Sequence, residues 1–179
     1  ESYALAKIAG LKLCNSLRTQ YGFDAISLMP TNLYGPGDNY HPSNGHVMAA
    51  LISRFANAVS QNLSEVSCWG SGSPFREFMH ADDLGSSVVF ALENWDPNSK
   101  NSPRDKNGET LLILNVGTGK DITIKDLVLK IATHLNYKGD IIWDSNKPDG
   151  TPRKLLNIDK IKKLGWFPKI ELDDGIIQT

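Results

Sequence analysis

The sequence predicts an α/β fold, in which strands and helices alternate along the chain. Several segments repeat their apolar residues at helical spacing, whereas others are short apolar runs bounded by glycine or proline. The run TLLILNVGTG ends in glycines and suits a strand that is buried on both faces of a parallel sheet. Because a helix comes first, with no strand and glycine-rich phosphate loop before it, we expect the chain to be the C-terminal part of a longer protein.

The first half of the chain is predicted to form a helix, a strand, a long loop and a second helix. The first helix ends near Gly22, a typical C-terminal cap, and segment 25–30 is a short apolar run that predicts a buried strand. Segment 31–45 is rich in glycine, proline and asparagine, and loops of that length are usually functional or disordered. The apolar face of the second helix is predicted to hold Val47, Ala50, Leu51, Phe55, Ala58 and Val59.

The second half continues the alternation of strands and helices. The polar segment 95–109 interrupts it and is predicted to be a surface loop. The predicted strands are 65–70, 76–80, 110–119 and 140–144, and the predicted helices are 81–95, a helix after Thr123, 157–165 and a helix beginning near 172.

The composition limits the possible classes of function. The 179 residues suffice for one domain or two small ones, and a hydrophobic fraction of 40% is ordinary for a globular protein. The net charge of −1 gives no basic field for nucleic acid or for a membrane surface, and no apolar run is long enough to cross a bilayer. Cys14 and Cys68 have neither metal-ligand nor redox spacing, so we expect no metal site and a reducing, cytoplasmic setting.

Tyr3 and Lys7 are the first candidates for chemistry. Residues at positions i and i+4 share one face of a helix, so the phenol and the ammonium can point into the same site. A nearby ammonium favours the phenolate and lowers the pKa of a tyrosine, and such a phenol can give a proton to a ketone oxygen as hydride reaches the carbon. The alternative is a half-buried tyrosine beside a solvated lysine on a surface helix, and the pair alone leaves both interpretations open.

His46 and Arg54 belong to the second predicted helix. An imidazole titrates near neutrality and can transfer protons at carbons next to a ketone, although a histidine at a helix start can equally have no such task. Arg54 lies amid the apolar stripe, where a cation calls for an anion such as phosphate. The alternative for Arg54 is a surface side chain that extends its charge into solvent.

Trp69, Arg76 and Asp149 are candidates for binding a ligand. Trp69 and Arg76 flank the turn GSGSPF, and an indole face and a guanidinium suit a sugar nucleotide. The alternative for Trp69 is a core tryptophan at a strand end. Asp149 lies in the polar turn KPDGTPRK, where its carboxylate could accept hydrogen bonds from two adjacent donors or simply belong to a solvated charge cluster.

Five stretches together resemble the GDP-L-fucose synthases, a branch of the nucleotide-sugar epimerases within the extended short-chain dehydrogenase/reductase family. The stretches are YALAKIAG, MPTNLYGPGDNYHPSNGHV, WGSGSPFREFMHADDL, LNVGTG and KPDGTPRKLLN. The resemblance implies the C-terminal part of a Rossmann-like doubly wound sheet plus a smaller α/β substrate-binding domain. Residues 1–38 and 80–118 would complete the cofactor domain, residues 39–79 and 119–179 would form the substrate domain, and the cofactor-loop half would lie upstream.

The resemblance also implies a reaction, namely NADPH-dependent epimerisation and reduction of GDP-4-keto-6-deoxy-D-mannose to GDP-L-fucose. Tyr3 would donate the proton during reduction, and Lys7 would tune Tyr3 and bind the nicotinamide ribose. His46 would be the acid of the epimerisation and would also border the cofactor. The nicotinamide end of NADP(H) would be lined by Pro30, Thr31, Asn32 and Leu33.

The same resemblance assigns the GDP-sugar contacts to Arg54, for the diphosphate, and to Trp69, Arg76 and Asp149. It gives His80 a structural role, leaves Tyr34 and Asn39 as further candidates for the sugar pocket, and implies a homodimer. Two alternatives stay open at this point. The protein could be another nucleotide-sugar epimerase, dehydratase or reductase that acts on a UDP- or dTDP-sugar, or a nucleotide-sugar-binding fragment without catalysis.

Overall fold

The structure, a computed structural model, describes residues 2–41 and 45–179. Its elements in order are α1 (Ser2–Tyr21), β1 (Ser27–Pro30), β2 (Asn32–Tyr34), α2 (Val47–Ser60), β3 (Glu65–Trp69), β4 (Phe75–His80), α3 (Ala81–Asn94), β5 (Ile113–Val116), β6 (Asp121–Thr123), α4 (Ile124–His134), β7 (Asp140–Asp144), β8 (Arg153–Lys154), α5 (Asp159–Leu164) and α6 (Leu172–Gln178). The HPSNG part of the predicted loop falls partly on residues 42–44, which lie outside the described residues, as does Glu1.

The strands pair mostly in parallel, which confirms the predicted α/β architecture. Within the described residues they form three small sheets, of which β1 with β5 and β3 with β7 are parallel pairs. The third sheet is built around β4, which pairs in parallel with β2 and β8 and antiparallel with β6. The registers begin with the pairs Ser27–Ile113, Asn32–Phe78 and Glu65–Asp140.

Two clusters of buried side chains form the core, and β4 contributes to both. Phe78 belongs to the first cluster and Met79 to the second, because successive side chains of a strand point to opposite faces. The first cluster also contains Met48, Leu51, Phe55, Val66, Leu127 and Ile131, and the second contains Trp95, Leu114, Val116, Ile158, Ile161 and Trp166. The central strand β4 therefore separates two hydrophobic cores.

The N-terminal elements are more exposed than their sequences predict. Helix α1 buries none of its described residues, although Gly22 caps it as expected with φ +67° and an N–H bond to the Arg18 carbonyl. The prediction that segment 25–30 is a buried strand is wrong in this chain, because Met29 is 39% exposed and Pro30 is exposed as well. Strand β5 buries Leu114 and Val116 on one face only, because β1 and β5 form a sheet of two strands whose other face is open.

Two further predictions, for the apolar face of α2 and for the loop 31–45, are wrong in part, and two short strands were not predicted. In α2 the buried face holds Met48, Leu51, Phe55 and Ala58, whereas Val47 and Val59 are each 39% exposed, so the apolar face is rotated relative to the prediction. The predicted loop 31–45 contains the strand β2, which forms because it pairs with β4. Strands β6 and β8 were not predicted, because they are short, polar and defined only by their pairing with β4.

Candidate functional site

A cleft of about 510 Å³ opens where β1, β2 and β4 end. Ligands of open α/β sheets bind in such crevices at the carboxyl ends of strands. Seven of the residues predicted from the sequence line this cleft: Tyr3, Pro30, Thr31, Asn32, Leu33, Tyr34 and His46. The structure therefore brings together residues that lie far apart along the chain and that are predicted to take part in one reaction.

Tyr3 and Lys7 lie on one face at the beginning of α1, as the spacing predicts. The Nζ atom of Lys7 lies 5.5 Å from the centroid of the Tyr3 ring, a distance at which a cation and an aromatic ring attract each other. Tyr3 is 75% exposed, so its phenol is open to a ligand in the cleft.

The floor of the cleft is fixed by bonds to the backbone of β4. The hydroxyl of Thr31 and the amide of Asn32 both donate to the carbonyl oxygen of Glu77, at 3.2 Å and 2.8 Å. The N–H of Thr31 donates to the Val116 carbonyl at 2.9 Å, in continuation of the β1–β5 ladder. These bonds leave little freedom to the segment that was predicted to meet the nicotinamide end of a cofactor.

His46 occupies the N-cap position of α2. Its backbone is extended, with φ −68° and ψ 160°, and its imidazole makes no capping hydrogen bond to the helix. The ring is exposed and borders the same cleft as Tyr3. A titratable group thus faces the space in which the sequence predicts proton transfer.

Trp69 and Asp149 belong to a second group of predicted residues. Trp69 is 65% exposed, which excludes the core alternative, and the Nζ atom of Lys147 lies 5.6 Å from its ring centroid. The carboxylate of Asp149 accepts the hydroxyl and the N–H of Ser71, each at 2.7 Å. These two bonds stabilise the charged form and hold the pKa of Asp149 below its usual range.

The two predicted arginines each donate to a backbone carbonyl. Arg76 is bonded to the Phe75 oxygen at 2.7 Å, and its guanidinium lies beside Gly150, the residue after Asp149. Arg54 is half-buried and donates to the Ser67 oxygen at 2.6 Å. Burial raises the pKa of the adjacent Cys68 thiol, while the positive charge of Arg54 acts in the opposite direction.

Strand β4 connects the two groups of residues. Phe78 lines the cleft, and Arg76 lies two positions earlier on the same face of the strand, about 7 Å away by strand geometry. Asp149 is bonded to Ser71, two residues after Trp69, and Arg76 lies beside Gly150, so Trp69, Arg76 and Asp149 belong to one cluster of neighbouring segments. The cleft around Tyr3 and His46 begins at Phe78. Arg54 reaches β3 at Ser67, two positions before Trp69.

Three buried polar residues of the stretch REFMHADD were not assigned to the site from the sequence, namely Glu77, His80 and Asp83. The carboxylate of Glu77 is fully buried and accepts the N–H of Gly119 at 2.7 Å and the N–H of Leu156 at 2.9 Å. Asp83 is 2% exposed, and its carboxylate accepts the N–H groups of Lys169 and Ile170. An acidic residue inside an apolar strand is the sequence signal that could have identified Glu77.

His80 and Tyr34 pack against each other, and Tyr34 lines the cleft. The Nδ1 atom of His80 accepts the Asp82 N–H at 3.2 Å and caps α3, which fits the structural role implied for this histidine. The two rings meet edge to face at 5.5 Å. Burial, followed by the charge of Asp83, raises the pKa of Tyr34 to about 12, so this phenol stays protonated. Asn39 is exposed and accepts the His41 N–H.

A second cavity, of about 410 Å³, lies between β4, β6 and the C-terminal segment. Two ion pairs line it, Lys120 with Glu171 at 3.0 Å and Lys130 with Asp173 at 2.7 Å, and Lys162 and Asp121 line it as well.

Residues 2–41 and 45–179 contain neither a candidate metal site nor a candidate membrane-spanning helix. No group of histidine, cysteine and acidic side chains there could hold a metal ion. No helix of this part of the chain combines the length and the apolar character that a membrane crossing needs.

Comparison with known proteins now identifies the family. The family model described as "NAD dependent epimerase/dehydratase family" matches residues 1–109, more than half of the chain. The chain belongs to this family. The mixed α/β structure with its parallel strand pairs matches a Rossmann-like epimerase/reductase fold.

Three family members are close enough to be informative. The probable GDP-L-fucose synthase 1 of Oryza sativa is 49% identical over 179 residues, which are 100% of this chain and 51% of that protein. The GDP-L-fucose synthase of Escherichia coli is 48% identical over 183 residues, covering 100% of this chain and 54% of that protein. A GDP-mannoheptose C4 reductase from Campylobacter jejuni, solved with NADP bound, has a TM-score of 0.78 at 30% identity and covers 99% of this chain and 58% of its own. The chain thus spans about half the length of these relatives.

Proposed function

We propose that the protein carrying this chain converts GDP-4-keto-6-deoxy-D-mannose to GDP-L-fucose, by NADP(H)-dependent epimerisation and reduction. The observation that carries the proposal is the cleft that joins Tyr3, the segment 30–33 and His46. Identities of 48–49% over the whole chain to GDP-L-fucose synthases support the choice of reaction. The domain division at 38, 80 and 118 and the upstream position of the dinucleotide loop are parts of the same proposal.

The volume and the lining of the cleft support the proposal that it binds the nicotinamide end of a cofactor. Its volume of about 510 Å³ lies within the usual range for small-molecule sites. Residues 30–33 would border the nicotinamide, and Lys7 would bind the ribose. When bound, the cofactor supplies a hydride to the keto carbon of the sugar. The NADP-bound structure of the related heptose reductase supports a nicotinamide cofactor, and we propose NADPH.

Tyr3 is the proposed proton donor of the reduction. Its exposed phenol gives a proton to the 4-keto oxygen while the adjacent carbon is reduced, and the product is an alcohol. The phenolate left on Tyr3 is stabilised by the ammonium of Lys7, which lies over the same ring.

His46 is the proposed acid of the epimerisation. Carbons next to the ketone lose a proton because the resulting enolate delocalises its charge onto oxygen. An imidazole in the protonated form can return a proton to the opposite face of such a carbon. The base that removes the first proton is expected in the part of the protein outside this chain.

The second group of residues is proposed to bind the GDP part of the substrate. Arg54 and Arg76 each carry further N–H donors besides the one bonded to a carbonyl, and these suit a diphosphate. Trp69 offers an exposed aromatic face, and Asp149 keeps lone pairs free for sugar or base donors beyond its bonds to Ser71.

The partner and the compartment are also proposed. The exposed apolar residues of α1, namely Leu5, Ile8 and Leu13, favour a helix that is covered in the whole protein, and we propose a homodimer that pairs through α1. Cys14 and Cys68 are free thiols in the described structure, which fits the reducing cytoplasm.

Calorimetric titration of the whole protein tests the substrate assignment. GDP-L-fucose should bind saturably, UDP-galactose should not, and Arg76→Ala should abolish the binding of the GDP-sugar. Arg104→Ala is the matched control, because Arg104 is an exposed arginine of a surface loop whose guanidinium also bonds a backbone carbonyl. Equal binding of both sugars would contradict the preference for GDP and favour a broader nucleotide-sugar enzyme.

Deuterium incorporation tests the epimerisation. An enzyme that reduces the ketone without epimerisation would take up no solvent deuterium at the carbons beside it. The proposed enzyme should incorporate deuterium at both neighbouring carbons, and His46→Gln should lower that incorporation more than it lowers reduction. A product without deuterium would reject the epimerisation.

A further inference from the structure

Glu77 is a buried carboxylate for which the proposed reaction provides no role. It lies in the middle of β4 and is 0% exposed. No ion pair to Glu77 forms within the described part of the chain, and its charge is instead met by the N–H groups of Gly119 and Leu156 and, at 3.4 Å, by the Thr118 hydroxyl. Burial of a carboxylate is unfavourable unless it is hydrogen-bonded, so these donors hold the group in one position.

The carboxylate bonds connect two segments on the substrate side. Leu156 follows β8, whose residues pair with Phe75 and Arg76, and β8 itself follows the turn that contains Asp149. Gly119 belongs to the turn between β5 and β6. The carboxylate of Glu77 therefore holds both segments against the strand that carries Arg76.

The main-chain carbonyl of Glu77 holds the cofactor side independently. It accepts the hydroxyl of Thr31 and the side-chain amide of Asn32, the two residues at the floor of the cleft. Glu77 is thus bonded through its backbone to the cofactor floor, and through its side chain to the segment that follows β8, the strand paired with Arg76.

Gly117 provides a separate indication that the carboxylate of Glu77 must occupy its observed position. A Cβ atom on residue 117 would overlap the Oε1 atom of Glu77, so any larger residue would displace the carboxylate or the turn. Its φ is not in the left-handed region, so the need for glycine comes from this contact rather than from backbone conformation.

We propose that Glu77 is a positioning residue for the GDP-sugar. Its carboxylate fixes segment 153–156 relative to Arg76 and so sets the geometry of the substrate cluster, while its backbone fixes the cofactor floor. The proposal rests on the proposed function, because it assigns the cluster of Arg76 and Asp149 to substrate. It predicts that a change of the side chain alone affects substrate binding and leaves cofactor binding intact.

Glu77→Gln in the whole protein tests this prediction. Glutamine keeps the shape, but its NH₂ end cannot accept an N–H, so either Gly119 or Leu156 loses its partner. The KM for the GDP-sugar should rise about tenfold, whereas the KM for NADPH should change by less than about twofold. Gly117→Ala should produce the same split by displacing the carboxylate, and it replaces Glu77→Gln if that variant does not fold. Glu93→Gln, at an exposed position of α3, is the matched control.

Hydrogen exchange without ligand separates this proposal from the proposed function. In Glu77→Gln the amide of Gly119 or of Leu156, whichever loses its acceptor, should exchange faster, and the amide of Thr31 should keep its protection. Equal changes in both KM values, no change in either, or unaltered exchange at both amides would overturn the positioning role. If the exchange pattern appears but the protein prefers UDP-sugars, the positioning role stands and the proposed substrate fails.

Discussion

Replacement of Asp83 by asparagine would separate the roles of the two adjacent aspartates in the stretch HADD. The carboxylate of Asp83 is buried and accepts the N–H groups of Lys169 and Ile170, each at 3.0 Å, one on each oxygen. Asp82, the next residue towards the N-terminus, has a side chain that is 80% exposed. The two positions therefore offer the same chemical change in a buried and an exposed setting.

The expected cost follows from the two bonds. Asparagine keeps one acceptor oxygen and turns an NH₂ group towards the other backbone N–H, which loses its partner in a buried site. Hydrogen bonds to a charged group contribute about 1.5–3 kcal/mol each, so Asp83→Asn should lower the free energy of unfolding by about 2–3 kcal/mol. For a chain of this size that corresponds to a decrease in Tm of roughly 4–12 °C.

Thermal and urea unfolding of both variants measures this difference. Asp82→Asn should cost no more than about 0.5 kcal/mol, since it removes only a favourable charge from the first turn of α3. If both variants lose the same stability, or if Asp83→Asn loses none, the carboxylate does not hold segment 169–170 and the reasoning from the two bonds is wrong.

Three further predictions concern the cleft and its surroundings. Tyr3→Phe should lower kcat by at least about 100-fold and leave the melting temperature unchanged, because the phenol is exposed; NADPH consumption and a thermal melt measure both. Hydrogen bonds from Lys130 and His134 lower the pKa of Asp173. The stability that these bonds provide is therefore present above the pKa of the unfolded chain and is lost as the pH falls through the pKa of the folded protein. Lys130→Met should reduce that loss of stability in acid, as measured by urea titrations between neutral pH and about pH 3. The pKa of Tyr34 is raised to about 12, so the stability that its protonated phenol provides is complete below the pKa of the unfolded chain, near 10. That stability is lost as the pH rises through about 12. Tyr34→Phe should remove this alkaline loss of stability, and an unchanged profile of stability against pH would contradict the raised pKa.

Local sequence signals predicted the regular elements and part of the site. The spacing of apolar residues predicted α1, α2 and α4, and Gly22 and Thr123 mark the helix ends that the structure has. Tyr3 and Lys7 share a helix face because that relation depends only on helical geometry. Such signals reach no further than a few residues along the chain.

The incorrect predictions involve contacts that are distant in sequence. The carboxylate of Glu77 meets donors that are 42 and 79 residues away, which no local pattern reveals. The exposure of Met29 follows from the absence of further strands beside β1 in the described sheet, whereas an apolar run alone predicts burial. Strand β8 exists because Phe75 and Arg76 pair with it, so its two polar residues carry no strand signal of their own.

The position of β4 between two hydrophobic cores has a consequence for how the protein unfolds. Since Phe78 anchors one core and Met79 the other, neither core can open without breaking the strand that the other needs. Both should therefore unfold in a single cooperative transition, without a stage in which one of them persists. Fluorescence from Trp166, in the second core, and hydrogen exchange at Leu127, in the first, would then report the same midpoint.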